Sequence, residues 1–65
     1  MDYAYKIGDI VRASPLSHPA DREEFRYGIV LDFYEQEDGS VYYEVQWSTE
    51  RSWWREDELR IISES

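Results

Sequence analysis

Residues 27–54 read YGIVLDFYEQEDGSVYYEVQWSTERSWW, and the fold turns on how this stretch is read. It holds all three Trp, four of the six Tyr and one of the two Phe, so core and recognition surface must both come largely from it. Apolar runs rich in β-branched and aromatic residues are broken by Glu37-Asp38-Gly39 and again by the STERS segment at 48–52. That pattern predicts three strands joined by two turns.

Register decides which side chains face inward. A two-residue turn on Asp38-Gly39 sets Leu31 against Gln46 and Phe33 against Glu44, apolar against polar on both faces. A three-residue loop with Gly39 in the left-handed position instead pairs Ile29 with Trp47, Leu31 with Val45 and Phe33 with Tyr43. One face is then apolar throughout, and a slip of one residue would reverse it. The three-residue loop is therefore expected, with those six residues in the core. It sets Asp32 against Glu44, and like charges across a ladder repel. A β-bulge near Asp32 would ease that contact and turn Val30 inward as well. A two-residue turn at Thr49-Glu50 pairs Val45 with Trp54, which places Trp54 inside and Trp53 outside beside Gln46.

Outward from this stretch the signals are shorter. Residues 1–6 form an extended lead-in whose Tyr3 or Tyr5 can lie against the sheet. Ile7-Gly8-Asp9 is a turn, with Gly for unusual backbone angles and Asp to bond its own backbone. Residues 10–13 form a strand with Val11 and Ala13 inward and Arg12 in solvent. SPLSHPADREE, residues 14–24, has no periodicity and reads as a long loop, with Leu16 as its anchor and His18 exposed. Glu56-Asp57-Glu58 is one 3₁₀ turn with Leu59 plugging the end of the core, and 60–62 is the closing strand.

Composition narrows the chemistry. The chain has 65 residues, which fits one domain near the lower size limit for folding without staples. It has no Cys and a single His, His18, so thiolate and His-based metal sites and His-based acid–base catalysis are disfavoured. The three Gly are scattered and make no phosphate cradle. Carboxylates at Glu35, Glu37 and Asp38 sit in a turn and fit no calcium-loop spacing, so a solvated turn is expected rather than a metal site. Paired carboxylates in loops stay solvated, and catalytic ones need environments that separate their pKa values. The reading is a non-enzyme with no catalytic residues, no metal and no cofactor. With no apolar run of membrane-spanning length and no signal-peptide pattern at residue 1, it is expected to be cytoplasmic.

Gly8-Asp9-Ile10-Val11, Gly28-Ile29-Val30, Val45-Gln46-Trp47 and Asp57-Glu58-Leu59, in that order, resemble the SH3-like small β-barrels, Tudor-like and KOW-like domains among them. More narrowly they resemble small acidic barrel proteins of tailed phages, marine phages especially. The resemblance implies an all-β, five-stranded barrel with a long first loop and a 3₁₀ turn before the last strand. It implies Val11, Val45, Trp47 and Leu59 in the core, and no active site, because fold alone does not fix function. The chain departs from nucleic-acid-binding relatives in being acidic, and from SH3 domains proper in lacking an Ala-Leu-Tyr-Asp-Tyr opening.

Three functions remain open at this stage. The first is a protein-interaction module, for which Tyr27, Tyr34, Tyr42 and Trp53, with Asp32 and Glu44 beside them, are the candidate partner-binding residues. A cage for a methylated cation would need those rings to converge near a carboxylate. The second is mimicry of nucleic acid, motivated by a net charge of −8. The third, direct nucleic-acid binding through Arg51, Trp53, Trp54 and Arg55, is disfavoured by that same charge. The expected partner is a protein, basic if the acidic surface is used, with the chain itself a monomer or a weak homodimer.

Overall fold

The turns and alternations above organise five antiparallel strands into one sheet. They are β1 (Ile10–Ala13), β2 (Gly28–Glu35), β3 (Val41–Gln46), β4 (Arg51–Arg55) and β5 (Leu59–Ser63). The structure is a computed structural model and describes residues 3–14 and 23–64. Across the sheet the order is β4-β3-β2-β1-β5. No ladder joins β4 to β5, so the sheet is open and these two strands are its edges. The all-β class, the strand number and the 3₁₀ turn at Glu56–Glu58 agree with the sequence reading.

The β2–β3 turn is the three-residue loop. Gly39 has φ 91°, in the region that favours glycine. The Gly39 N–H donates to Gln36 O at 2.9 Å, and the Gln36 N–H donates to Ser40 O at 2.8 Å. The Ser40 N–H donates to the Asp38 carboxylate at 2.9 Å, and that bond holds the Asp38 pKa below its ordinary value. Phe33 pairs with Tyr43 as expected.

Beyond Asp32 the register departs from expectation. The ladder shifts between Val30 and Asp32, so Val30 pairs with Val45 and Ile29 with Gln46. This is the expected bulge, and it turns Val30 fully inward. It also corrects two core assignments, because Ile29 and Leu31 are 47% and 38% exposed. The cause lies across the sheet, where Gly28 is buried against Trp47 and Val45. With residue 28 fixed inward by that contact, residue 30 follows it and residue 29 must face out. The bulge does not part Asp32 from Glu44, which still face each other. Their repulsion is met by Arg51, whose Nε lies 3.4 Å from Glu44, and by the Phe33 N–H, which donates to Asp32 at 2.8 Å.

The β3–β4 pairing also differs. Trp54 lies opposite Tyr43 rather than Val45, and Trp53 opposite Glu44 rather than Gln46. The offset is two residues, so the inside–outside assignment survives. Trp54 is buried and Trp53 is 45% exposed. The turn still has two central residues but sits one position earlier, on Ser48-Thr49, and is closed by the Trp47 N–H donating to Glu50 O at 2.7 Å.

Val11, Ala13, Val30, Tyr43, Val45, Trp47, Trp54 and Leu59 make the core, with Tyr5 completing it. A short 3₁₀ turn, Glu23–Phe25, ends the β1–β2 connection and delivers Phe25 onto Trp47 and Trp54, with ring centroids 5.3 and 5.1 Å apart. The expected loop, residues 14–24, ends within this turn, and the sequence carries no local signal for a role of Phe25. Leu16 and His18 lie outside the described residues.

The lead-in is tied down by both of its tyrosines. Tyr3 packs on Phe33 with ring centroids 4.6 Å apart and planes tilted by 50°, and the Tyr5 hydroxyl donates to Leu59 O at 2.7 Å. Gly8, at φ 96°, closes the Lys6–Asp9 turn, and the buried Asp9 carboxylate accepts the Lys6 N–H at 2.8 Å.

Burial pushes the phenols of Tyr5 and Tyr43 above their ordinary value of 10.0. A folded-state pKa above the unfolded one gives stability that is intact below the unfolded value and is lost as pH rises through the folded value, because only the unfolded chain readily releases the proton. Urea unfolding should therefore show no loss from these phenols between neutral pH and about pH 10, and a falling free energy above it. Tyr5→Phe should show a smaller alkaline fall. An equal fall in Tyr5→Phe and wild type would assign the effect elsewhere.

Candidate functional site

The outward residues of β2, β3 and β4 form one face. Ladder pairing sets Tyr34 beside Tyr42 and Tyr42 beside Arg55, while Asp32, Glu44 and Trp53 follow in the next row. Tyr34 and Tyr42 stack with centroids 5.4 Å apart and planes 12° from parallel. Trp53 meets Tyr34 edge-on at 4.9 Å. Tyr34 is 42% exposed, so two large rings stand in solvent while the core is built from other residues. Aromatic clusters of this kind offer apolar area with little rotamer entropy to lose on docking.

Charge surrounds the rings. Glu44 and Arg51 form a surface pair, which adds at most about 1 kcal/mol to stability. The Arg55 pKa is raised, first by hydrogen bonding with Tyr42 and then by Tyr42, Asp57 and Glu58 charges. Past the face, the acidic hairpin tip and the Glu56–Glu58 turn meet, since Gly39, Ser40, Arg55, Glu56 and Asp57 line one depression.

Of the six candidate residues, Tyr34, Tyr42, Trp53, Asp32 and Glu44 come together here. Tyr27 does not. It is 69% exposed, immediately before β2, and lines depressions with Arg12, Arg26 and Ile62 and with Ser48 and Thr49. Seven strand steps separate it from Tyr34, about 23 Å at strand rise. Sequence reasoning grouped Arg55 with Trp53 but did not join it to Tyr42, its cross-strand neighbour. The signal was present in its spacing of two from Trp53, which puts both on the same side of a strand.

Comparison with protein-family models, curated proteins and solved structures found no match. What the face can do therefore rests on its own chemistry. Two stacked rings with a third edge-on use their faces on one another, so they present a ridge rather than the walls of a cage. Trp54, named with Trp53, Arg51 and Arg55 in the nucleic-acid reading, is 6% exposed and has no free ring face for a base. Among the described residues no group of three or more His, Cys, Asp or Glu is placed to hold a metal ion. No helix among the described residues is long and apolar enough to cross a membrane.

Proposed function

We propose that this chain is a non-enzymatic interaction module of SH3-like barrel type, in the manner of the small acidic phage proteins it resembles. It docks a basic protein partner in the host cytoplasm on the outer face of β2–β4. Tyr34, Tyr42 and Trp53 are the anchors, and Asp32 and Glu44 meet cations on the partner. The observation that carries this reading is the contact of Tyr34 with half-buried Tyr42 and with Trp53, which leaves the Tyr34 and Trp53 rings in solvent where the core does not require them. Buried aromatic anchors ringed by charge are what interface hot spots are made of, and the net charge of −8 favours a basic partner.

Affinity capture from the native host with wild-type and Trp53→Ala baits tests it. Loss of one interface Trp is expected to weaken capture by about tenfold or more, with the bait's circular dichroism unchanged. Capture that is indifferent to Trp53→Ala contradicts the reading.

Mimicry of nucleic acid is a second reading, favoured by one observation. Gly39 and Ser40 of the acidic hairpin turn line one depression with Glu56 and Asp57. It calls for a DNA-binding partner whose capture falls steeply with added salt. Capture insensitive to salt excludes it.

A further inference from the structure

The outer face of β1, β5 and the start of β2 carries a chemistry that the aromatic face does not use. Val11, Ala13 and Leu59 point inward, so Ile10, Arg12 and Arg60 point out. Ile10 is the cross-strand partner of Ile29, which the bulge has turned outward. Arg12 is the cross-strand partner of Arg60, and two like charges facing across a ladder repel. Arg26, Tyr27 and Ile62 close around Arg12 in one shallow depression.

Among the described residues the ion pair is Arg51 with Glu44; Arg12, Arg26 and Arg60 form none, although Glu23 and Glu24 line a neighbouring depression with Arg26. The Arg12 Nε is buried without a hydrogen-bond partner. In a chain of net charge −8, a patch of three arginines beside exposed isoleucines is a local reversal of sign. Its chemistry suits an occupant that is both acidic and partly apolar.

The matching surface is on the same chain. Glu35, Glu37 and Asp38 crowd the tip of the β2–β3 hairpin beside the exposed Tyr34. The tip and the patch lie at opposite ends of β2, about 23 Å apart by strand rise, on a molecule whose longest extent is 32 Å. One chain cannot bring its own tip to its own patch.

We infer that the Arg12–Arg26–Arg60 patch receives the acidic β2–β3 hairpin tip of a second copy of this chain, so that copies associate head to tail. The contact is heterologous, one end of a copy meeting the other end of the next, and such contacts propagate into open chains unless a rotation closes them. A compact tip suits the patch better than a nucleic acid does. A polyanion long enough to span the patch runs on into the carboxylates of the same molecule, whereas a hairpin tip ends there. The net charge of each copy opposes approach, so association appears at high protein concentration and depends on the local match of tip and patch.

Sedimentation velocity over a concentration series, at low salt, tests this. The wild type is expected to rise with concentration toward and beyond twice the monomer mass. Arg26→Glu/Arg60→Glu reverses the patch and Glu35→Lys/Glu37→Lys reverses the tip. All four positions are exposed, so both variants keep the fold. Each alone should stay monomeric, and mixing the two should restore association, because a reversed patch then meets a reversed tip. Trp53→Ala should associate like the wild type, which separates this inference from the aromatic-face reading. A wild type monomeric throughout, variants that associate unchanged, or a mixture that stays monomeric overturns it. So does a monomeric wild type that shifts a single-stranded oligonucleotide, which would assign the patch to polyanions.

Discussion

Trp47→Ala is expected to leave the domain largely unfolded, with loss of the near-ultraviolet dichroism and of the cooperative urea transition. Trp47 is 2% exposed and packs on Phe25 and Trp54, while Gly28 lies against its indole ring. Truncating a buried Trp to Ala costs about 3–5 kcal/mol. A domain of this length has roughly 3–10 kcal/mol in total, so the loss removes most or all of its stability. The hydrogen-bonding end of the indole is not the reason, since Nε1 is buried with no partner. Trp47→Phe should accordingly be much milder than Trp47→Ala, and equal damage from the two would show that packing volume is not what Trp47 supplies.

Gly28→Ala is expected to be nearly as damaging, although it adds a single methyl group. A Cβ at residue 28 would lie 2.7 and 2.8 Å from the Trp47 Cε3 and Cζ3 atoms, and closer still to Val45 Cγ1. Real contacts are never so short, and both neighbours are locked in the core, so the strand or the indole must move. Overpacking of this sort costs about 1–3 kcal/mol and sometimes more. Gly28 has no positive φ, so space, not backbone freedom, is what the position needs. Gly28→Ala/Val45→Ala removes the nearest clashing atom and should recover part of the loss in urea unfolding, a non-additivity expected only of residues in contact. Strict additivity of the two substitutions would place the damage elsewhere.

Much of this fold could be read from the sequence, because its strands alternate. Gly39 after Asp38 named the loop, and the apolar partners of Phe33 named the register near it. Val11 and Ala13 declared their face through the polar Arg12 between them. The reading broke at Gly28-Ile29-Val30-Leu31, where both faces of the strand are apolar and alternation carries no information. What settles that segment is the contact of Gly28 with Trp47, two residues nineteen apart in the chain. Local patterns do not register such a contact. Phe25 escaped notice for a related reason: two glutamates and an arginine flank it, and its burial comes from tertiary contact alone. The candidate site was legible as a set of outward-facing residue types on paired strands. Tyr27 joined it in sequence only, because composition does not measure the length of β2.

The bulge has a consequence for surface chemistry as well. By turning Val30 in, it places Ile29 in solvent next to Ile10 and within reach of the arginine patch. The same local irregularity thus fills the core and lays an apolar floor under a charged surface.

The central claim is that the Tyr34–Tyr42–Trp53 cluster serves a partner rather than the fold. The most direct test compares Trp53→Ala on β4 with Tyr27→Ala just before β2, two exposed aromatics in separate places, in urea unfolding and in partner capture side by side. Both should unfold within about 1 kcal/mol of the wild type. Trp53→Ala should lose the captured partner, and Tyr27→Ala should retain it. A Trp53→Ala bait that captures as well as the wild type, or a Tyr27→Ala bait that loses as much, contradicts the account.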